Sequence, residues 1–240
     1  MNNISVPIPN QQLGNWKIIP INECDEPLIA LSPLRKRLGI EIEPVYFRQE
    51  VPGAIPESFV RESLVSKLER AKMLLPKGFN FIVWDAWRPL SAQQALFDKF
   101  KYQILSENPD IDNDDLLKRT SVYVSLPSAD PLKPSPHNTG GAIDLTIADR
   151  NGDLLEMGTD FDDFTNKAKT TFFEQDDVGL TEKERIYREN RRLLFSVMVS
   201  AGFTNYPEEW WHFDYGDQFW ASISNSQNAL YSTIEPTKEN

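Results

Sequence analysis

The stretch "SPHNTGGAIDLTI" (135–147) sets a histidine ahead of a glycine pair and an aspartate behind it. Its second half, "AIDLTI" (142–147), has the β-branched content of a strand, and side chains in a strand alternate faces. Ile143, Leu145 and Ile147 then form an apolar set for a core, while Ala142, Asp144 and Thr146 form a small, polar set suited to the floor of a cleft. Gly140 and Gly141 permit a tight reversal through backbone conformations denied to other residues. Such a turn brings His137 back towards Asp144. A histidine and a carboxylate on one side of a strand are good zinc ligands, with nitrogen and oxygen donors at about 2.0–2.2 Å. Taken singly, a turn-capping Asp144 and a surface His137 are the plainer reading.

The chain holds 2 histidines. The other, His212, sits among aromatics in "EEWWHFDYG" (208–216), again beside acids. Two histidines and one carboxylate leave a fourth zinc position open to water, the arrangement of a catalytic site. A structural site closes with a fourth protein ligand, and one cysteine does not supply the usual set. Hydrolysis also needs a base to take a proton from the attacking water. Glu209 stands three residues before His212. Strict strand alternation puts the two on opposite faces, so the chain must bend between them if both serve one site, with Trp210 and Trp211 holding the bend by burial. The spacing is equally compatible with Glu208 and Glu209 as solvated charges ahead of an aromatic core strand.

Composition narrows the function classes. In 240 residues, 40% are hydrophobic and 25% charged, the profile of a globular protein with a substantial core. The net charge of −11 argues against a nucleic-acid partner or an anionic membrane surface. The short basic clusters "LRKR" (34–37) and "RENRR" (188–192) read as solvated faces. No run approaches the roughly 18 apolar residues of a membrane helix. The N-terminal "MNNISVPIPNQQLGNW" (1–16) lacks the basic and apolar regions of a secretory signal. The lone Cys24 excludes an internal disulfide and is expected to be a buried structural thiol. A cytoplasmic protein is the expectation.

Along the chain, helical spacing over 56–76 (Val60, Leu64, Leu68, Ala71, Leu75) predicts an amphipathic helix, and "GFNFIVWDAW" (78–87) a strand. Ser91 is the expected N-cap of a helix carried by Ala92, Leu96, Phe100 and Ile104. Residues 106–136, with one apolar alternation at "SVYVSL" (121–126), read as a long surface excursion over a site. "RNG" (150–152) signals a hairpin turn. Thr181 and Glu184 form a capping box for a helix whose apolar stripe is Ile186, Leu193, Leu194, Val197, Met198 and Ala201, with Gly202 as its C-terminal cap. "DIDNDD" (110–115) departs from a calcium loop, since Asp115 stands at the sharp-turn glycine position and Ser121 at the closing glutamate. Helices and strands mix without regular βαβ alternation, which predicts an α+β single domain over 1–240, with 1–45 and 216–240 as flanking segments.

Three stretches, "WDAWRP" (84–89), "SPHNTGGAIDLT" (135–146) and "EWWHF" (209–213), resemble the D-alanyl-D-alanine dipeptidases, a branch of the zinc D,D-peptidases of family M15. The family pattern S-x-H-x-x-G-x-A-x-D is met by Ser135, His137, Gly140, Ala142 and Asp144, and E-x-x-H by Glu209 and His212. Weaker agreement at "MGTDFD" (157–162) and "ENRRLLFSVMVSAGF" (189–203) extends the resemblance over about 80–215. It implies a hedgehog/D,D-peptidase-like fold, with a central antiparallel sheet flanked by helices. It also implies one Zn2+ per chain on His137, Asp144 and His212, with Glu209 as general base and Arg88 stabilising the substrate oxyanion. Ser135 and Asp162 would hold the ammonium of a small dipeptide, D-Ala-D-Ala, which is hydrolysed to two D-alanines. The stretch "VYFRQEVPGA" (45–54) departs from the dipeptidase pattern, and Tyr46 is assigned no role. A D,D-carboxypeptidase or peptidoglycan endopeptidase on the same fold, and a non-catalytic zinc- or peptide-binding module, are the alternatives. The oligomeric state is left open.

Overall fold

The computed structural model describes residues 6–174 and 179–236. Residues 1–5 of the N-terminal stretch and 237–240 of the C-terminal flank lie outside it. The strands are β1 (Leu28–Ala30), β2 (Ile40–Ile42), β3 (Phe59–Arg61), β4 (Asn80–Asp85), β5 (Ala142–Ala148), β6 (Thr204–Asn205) and β7 (His212–Asp214). The helices are α1 (Arg35–Leu38), α2 (Val45–Arg48), α3 (Glu62–Leu74), α4 (Leu90–Glu107), α5 (Asn113–Tyr123), α6 (Glu182–Ala201) and α7 (Gln218–Ser224).

A five-stranded sheet in the order β2-β4-β5-β7-β6 forms the centre, and β1 pairs with β3 in a separate antiparallel ribbon. The central sheet is antiparallel except for β2 and β4, which run parallel because the chain crosses over through α3 between them. This is the α+β class expected, with one parallel pair added. β5 is buried at every position. Ile143, Leu145 and Ile147 join the main core with Leu64, Leu68 and Ala71 of α3 and Leu194, Val197 and Met198 of α6.

Several local expectations change. The helix expected over 56–76 begins at Glu62, because Val60 sits in β3 and is buried there. Ser91 lies inside the first turn of α4, and extended Pro89 is the N-cap; proline has no N–H to lose at that position. The 106–136 excursion contains α5, whose N-cap Asp112 accepts hydrogen bonds from the backbone of Asp114 and Asp115. The aspartate cluster is thus a helix start, and "SVYVSL" is split by the helix end at Tyr123. Ile186 is 48% exposed, and the buried face of α6 carries Arg188 and Arg191 as well as the expected apolar positions. Cys24 is exposed rather than buried, in an N-terminal segment that crosses the surface to reach Ala229 and Leu230. The Thr181–Glu184 capping box and the left-handed Gly202 are present.

The glycine pair works in two ways. Gly140 has φ +72°, a left-handed conformation that side chains disfavour. Gly141 is required by close approach, since an added Cβ would stand 2.6 Å from the Tyr215 carbonyl oxygen. Gly141→Ala is therefore expected to cost roughly 1–3 kcal/mol of stability through backbone displacement. Gly179→Ala, where a methyl meets no described residue within 4 Å, is the matched control. Urea unfolding of both variants checks the difference.

Candidate metal and active site

Register builds the site. Asp85 of β4 pairs with Asp144 of β5, and Asp144 pairs with His212 of β7. Directly paired residues share a face, so these three side chains form one row across the sheet. The row depends on an irregularity in β4. Val83 pairs with Leu145, and without a shift the next pairing would set Trp84 against Asp144; the bulge puts Asp85 there instead. Trp84 turns to the aromatic cluster of Phe161 and Trp210.

His137 reaches the row from a 3-10 turn, Pro136–Thr139, that precedes β5. Its Nδ1 lies 2.7 Å from the Ala86 carbonyl oxygen. A carbonyl only accepts, so Nδ1 carries the proton and Nε2 presents a lone pair. His212 Nε2 lies 2.7 Å from Asp214 Oδ1, which leaves Nδ1 as its inner atom. His137 Nε2 and His212 Nδ1 are 3.2 Å apart, and Asp144 approaches them at 3.3 and 3.0 Å. Tetrahedral zinc with bonds near 2.0–2.1 Å has ligand-to-ligand edges of about 3.3 Å. The Asp144 carboxylate turns Oδ2 to His137 and Oδ1 to His212, so one ligand atom from each residue lies within 4.8 Å of the others; two imidazoles with one carboxylate suit zinc. The buried His137, Asp144 and His212 could hold a metal ion.

The surrounding charges favour a cation there. Burial lowers the His212 pKa, but Asp214, with hydrogen bonds to Asp144 and Asp214, carries it well above the ordinary histidine value. Burial works against the charge of Asp144 too, yet the two histidines hold its carboxyl well below the usual range.

Glu209 comes to the same place because the chain turns. Glu209 N–H donates to the Tyr206 carbonyl, and Asn205 Nδ2 donates to the carbonyls of Glu209 and His212. Trp210 and Trp211, the two residues within the bend, are both buried. Glu209 Oε2 ends 3.8 Å from His212 Nδ1. Burial, and then Asp144 and Asp162, push the Glu209 pKa well up, against the pull of His212 and Arg88.

Arg88 is buried and pinned. Nε donates to Asp85 Oδ2 at 2.8 Å, Nη2 stands 2.6 Å from the same oxygen, and Nη1 donates to Gln93 Oε1 at 2.9 Å. Nη2 is 3.7 Å from Asp144 Oδ2, which directs the guanidinium at the row. Asp162 lines the same cleft and accepts a hydrogen bond from the Tyr46 hydroxyl at 3.0 Å. Its φ is +58°, a conformation that aspartate tolerates better than most residues. Burial and then the charge of Asp144 push its pKa up to about 7. Ser135 is not brought into this cleft lining. It is buried next to Pro136, which does line it, and its hydroxyl has no hydrogen-bond partner.

A family model described as D-ala-D-ala dipeptidase, peptidase family M15, matches residues 57–230. The chain belongs to this family. A D-alanyl-D-alanine dipeptidase of Synechocystis is 29% identical over 240 aligned positions, covering 92% of this chain and 95% of that protein. One from Enterococcus faecalis is 30% identical over 152 positions, 59% of this chain and 64% of that protein. The Escherichia coli D-alanyl-D-alanine dipeptidase is 29% identical over 137 positions, 57% and 55% of the two chains.

For this M15 family member, four residues around the cleft went unassigned in the sequence. Asp214 follows His212 by two and so shares its strand face, a signal that was available. Asp85 stands three before Arg88, within the "WDAWRP" stretch. Gln93 and Tyr46 carry no local signal. Tyr46 arrives from α2, and its ring lies 4.8 Å from the Arg88 guanidinium.

Asp214→Asn removes the charge behind His212 and is expected to weaken zinc binding about 10- to 100-fold, read by competition with a chromophoric chelator. Asp162 gives a stability prediction. Its folded pKa lies above the unfolded value, so it favours folding below about pH 4 and loses that contribution as pH rises to about 7. Asp162→Asn is expected to raise stability at pH 8 by roughly 1–3 kcal/mol, allowing for partial solvent access. It should leave stability near pH 4 little changed, as thermal melts at the two pH values would read.

Proposed function

We propose that this chain hydrolyses the D-alanyl-D-alanine dipeptide to two D-alanines with one zinc ion on His137, Asp144 and His212. The observation that carries the reading is the meeting of two imidazole nitrogens 3.2 Å apart with the Asp144 carboxylate, three ligand atoms within 4.8 Å of one another, with Glu209 and Arg88 turned to the same point. A non-catalytic module needs the first of these and has no use for the other two.

Bound there, zinc would polarise the scissile carbonyl and lower the pKa of the attacking water. The chain's own residues do the rest. Glu209 takes a proton from the water as its oxygen adds to the carbonyl carbon, and passes it to the amine as the C–N bond breaks. A carboxylate held in a buried, anionic setting retains that proton long enough to deliver it. Arg88, immobilised by Asp85 and Gln93, offers its remaining N–H groups to the carbonyl oxygen as charge develops there. Asp162, oriented by Tyr46, receives the substrate ammonium. The unpartnered Ser135 hydroxyl is the second group we assign to the ammonium, by a rotation that brings it to the cleft.

One observation favours broader specificity. Phe100, Gln103, Tyr123, Asp162 and Phe164 also line a second groove, so space continues beyond the cleft. A D,D-carboxypeptidase would use that space. No described helix is long and apolar enough to cross a membrane. The single cysteine, free and exposed, supports a reducing, cytoplasmic setting.

The test is hydrolysis of D-Ala-D-Ala and its N-acetylated form by the zinc-loaded protein, with released D-alanine measured by mass spectrometry. The expected result is cleavage of the free dipeptide alone. Cleavage of the acetylated form assigns the protein to the carboxypeptidase reading, and cleavage of neither removes the proposed activity. Glu209→Ala should retain zinc and lose about 10²- to 10⁴-fold in kcat.

A further inference from the structure

A zwitterionic dipeptide entering this cleft brings a carboxylate as well as an ammonium, and the groups already described leave that end without a partner. The cleft walls carry Asp144, Asp162 and Glu209 as acids. The chain as a whole has 36 acidic against 25 basic residues, so a substrate carboxylate meets a repulsive field over most of its approach. Besides the histidines, the cations among the described lining residues are Arg88 and Lys99. Arg88 is committed to Asp85 and Gln93 and turned towards the reacting carbonyl. Lys99 is exposed and enters no salt bridge with a described residue.

Lys99 is also in a suitable place. Gln93, Leu96, Lys99, Phe100 and Gln103 of α4 all line the cleft; steps of three and four residues put them on one helical face. Lys99 stands six residues beyond Gln93, about 9 Å along the helix axis, and Gln93 is what holds Arg88. The dipeptide carboxylate lies one residue, about 3–4 Å, from the carbonyl that Arg88 addresses. The flexible four-carbon stem of lysine covers the remainder.

We propose that Lys99 is the specificity-determining cation that binds the C-terminal carboxylate of the dipeptide. The proposal rests on the dipeptidase reading above and adds a residue to it. With Asp162 at one end and Lys99 at the other, the cleft selects for two free termini at a fixed separation.

The experiment compares D-Ala-D-Ala with its C-terminal amide on the zinc-loaded wild type, Lys99→Met and Lys99→Arg. Turnover is followed by released D-alanine, and binding by calorimetry on each in a Glu209→Ala background. The wild type is expected to prefer the free acid about 10- to 100-fold. Lys99→Met should abolish that preference through KM and Kd rather than kcat, and Lys99→Arg should restore most of it. A preference that survives Lys99→Met, or a wild type that handles acid and amide alike, overturns this assignment and leaves the dipeptidase reading intact. A wild type that neither binds nor cleaves either compound overturns both. Because Lys99 is exposed, loss of fold does not imitate the effect, and an unchanged thermal melt verifies this.

Discussion

The Ala86 carbonyl and the Asp214 carboxylate each accept a hydrogen bond from the outer nitrogen of an imidazole, and the centre of the molecule follows from those two bonds. They fix both tautomers, so His137 Nε2 and His212 Nδ1 face each other and Asp144 as acceptors. Such a cluster is unfavourable in a buried site unless positive charge sits among it. The raised pKa of His212 and the lowered pKa of Asp144 express the same demand. Glu209, a short distance away, is pushed up instead, because burial outweighs the pull of His212 and Arg88. Acids in one cleft thus have opposite tendencies: Asp144 favours the ionised form, and Glu209 readily holds a proton.

How much of this was legible in the sequence depends on distance along the chain. The alternation of "AIDLTI" was enough to separate a core face from a cleft face, and the glycine pair ahead of it was enough to expect a reversal. The turn between Glu209 and His212 was only one of two readings of their three-residue spacing, the other being solvated acids ahead of a core strand; the structure has the turn. The capping box at Thr181 and Glu184 was readable because both partners lie within one helical turn. Ser91, by contrast, had the chemistry of a cap but not the position, since Pro89 already imposed the extended backbone that a helix start requires.

What was not legible was non-local. The bulge at Trp84 lies just past the last β2 pairing, on the side of β4 that faces β5, and no residue in "NFIVWD" announces it. Tyr46 comes from α2 and meets Asp162 116 positions later in the sequence. The 106–136 segment showed its polar, proline-rich character. Its helix α5 was hidden because only Leu116 and Thr120 are buried along it, too little for a periodic signal. Yet Val122, Tyr123, Val124 and Ser125, at its end, line the cleft. Coverage of the site was therefore a sound expectation on weaker structural grounds than the segment possesses.

The turn that carries His137 has little structure of its own, and its backbone is held by two arginines from elsewhere. Arg88 N–H and Gly140 N–H both donate to the His137 carbonyl. Arg61 N–H donates to Gly140 O, and Arg61 Nε to Thr139 O at 2.8 Å. Arg61 is in turn satisfied by Glu23 and the Glu26 carbonyl from one flank and by the Ser232 carbonyl from the other. The two flanks also pair directly, Ile21 with Ala229. Segments about 200 positions apart must therefore meet before the metal-side turn is fully held, and contacts of such separation are costly to close during folding. A complete site thus depends on contacts between the two flanks of the chain. The flanks reach the site through the Arg61 guanidinium, through Ile234 N–H on the Asn138 carbonyl, and through Phe219, which lines the cleft.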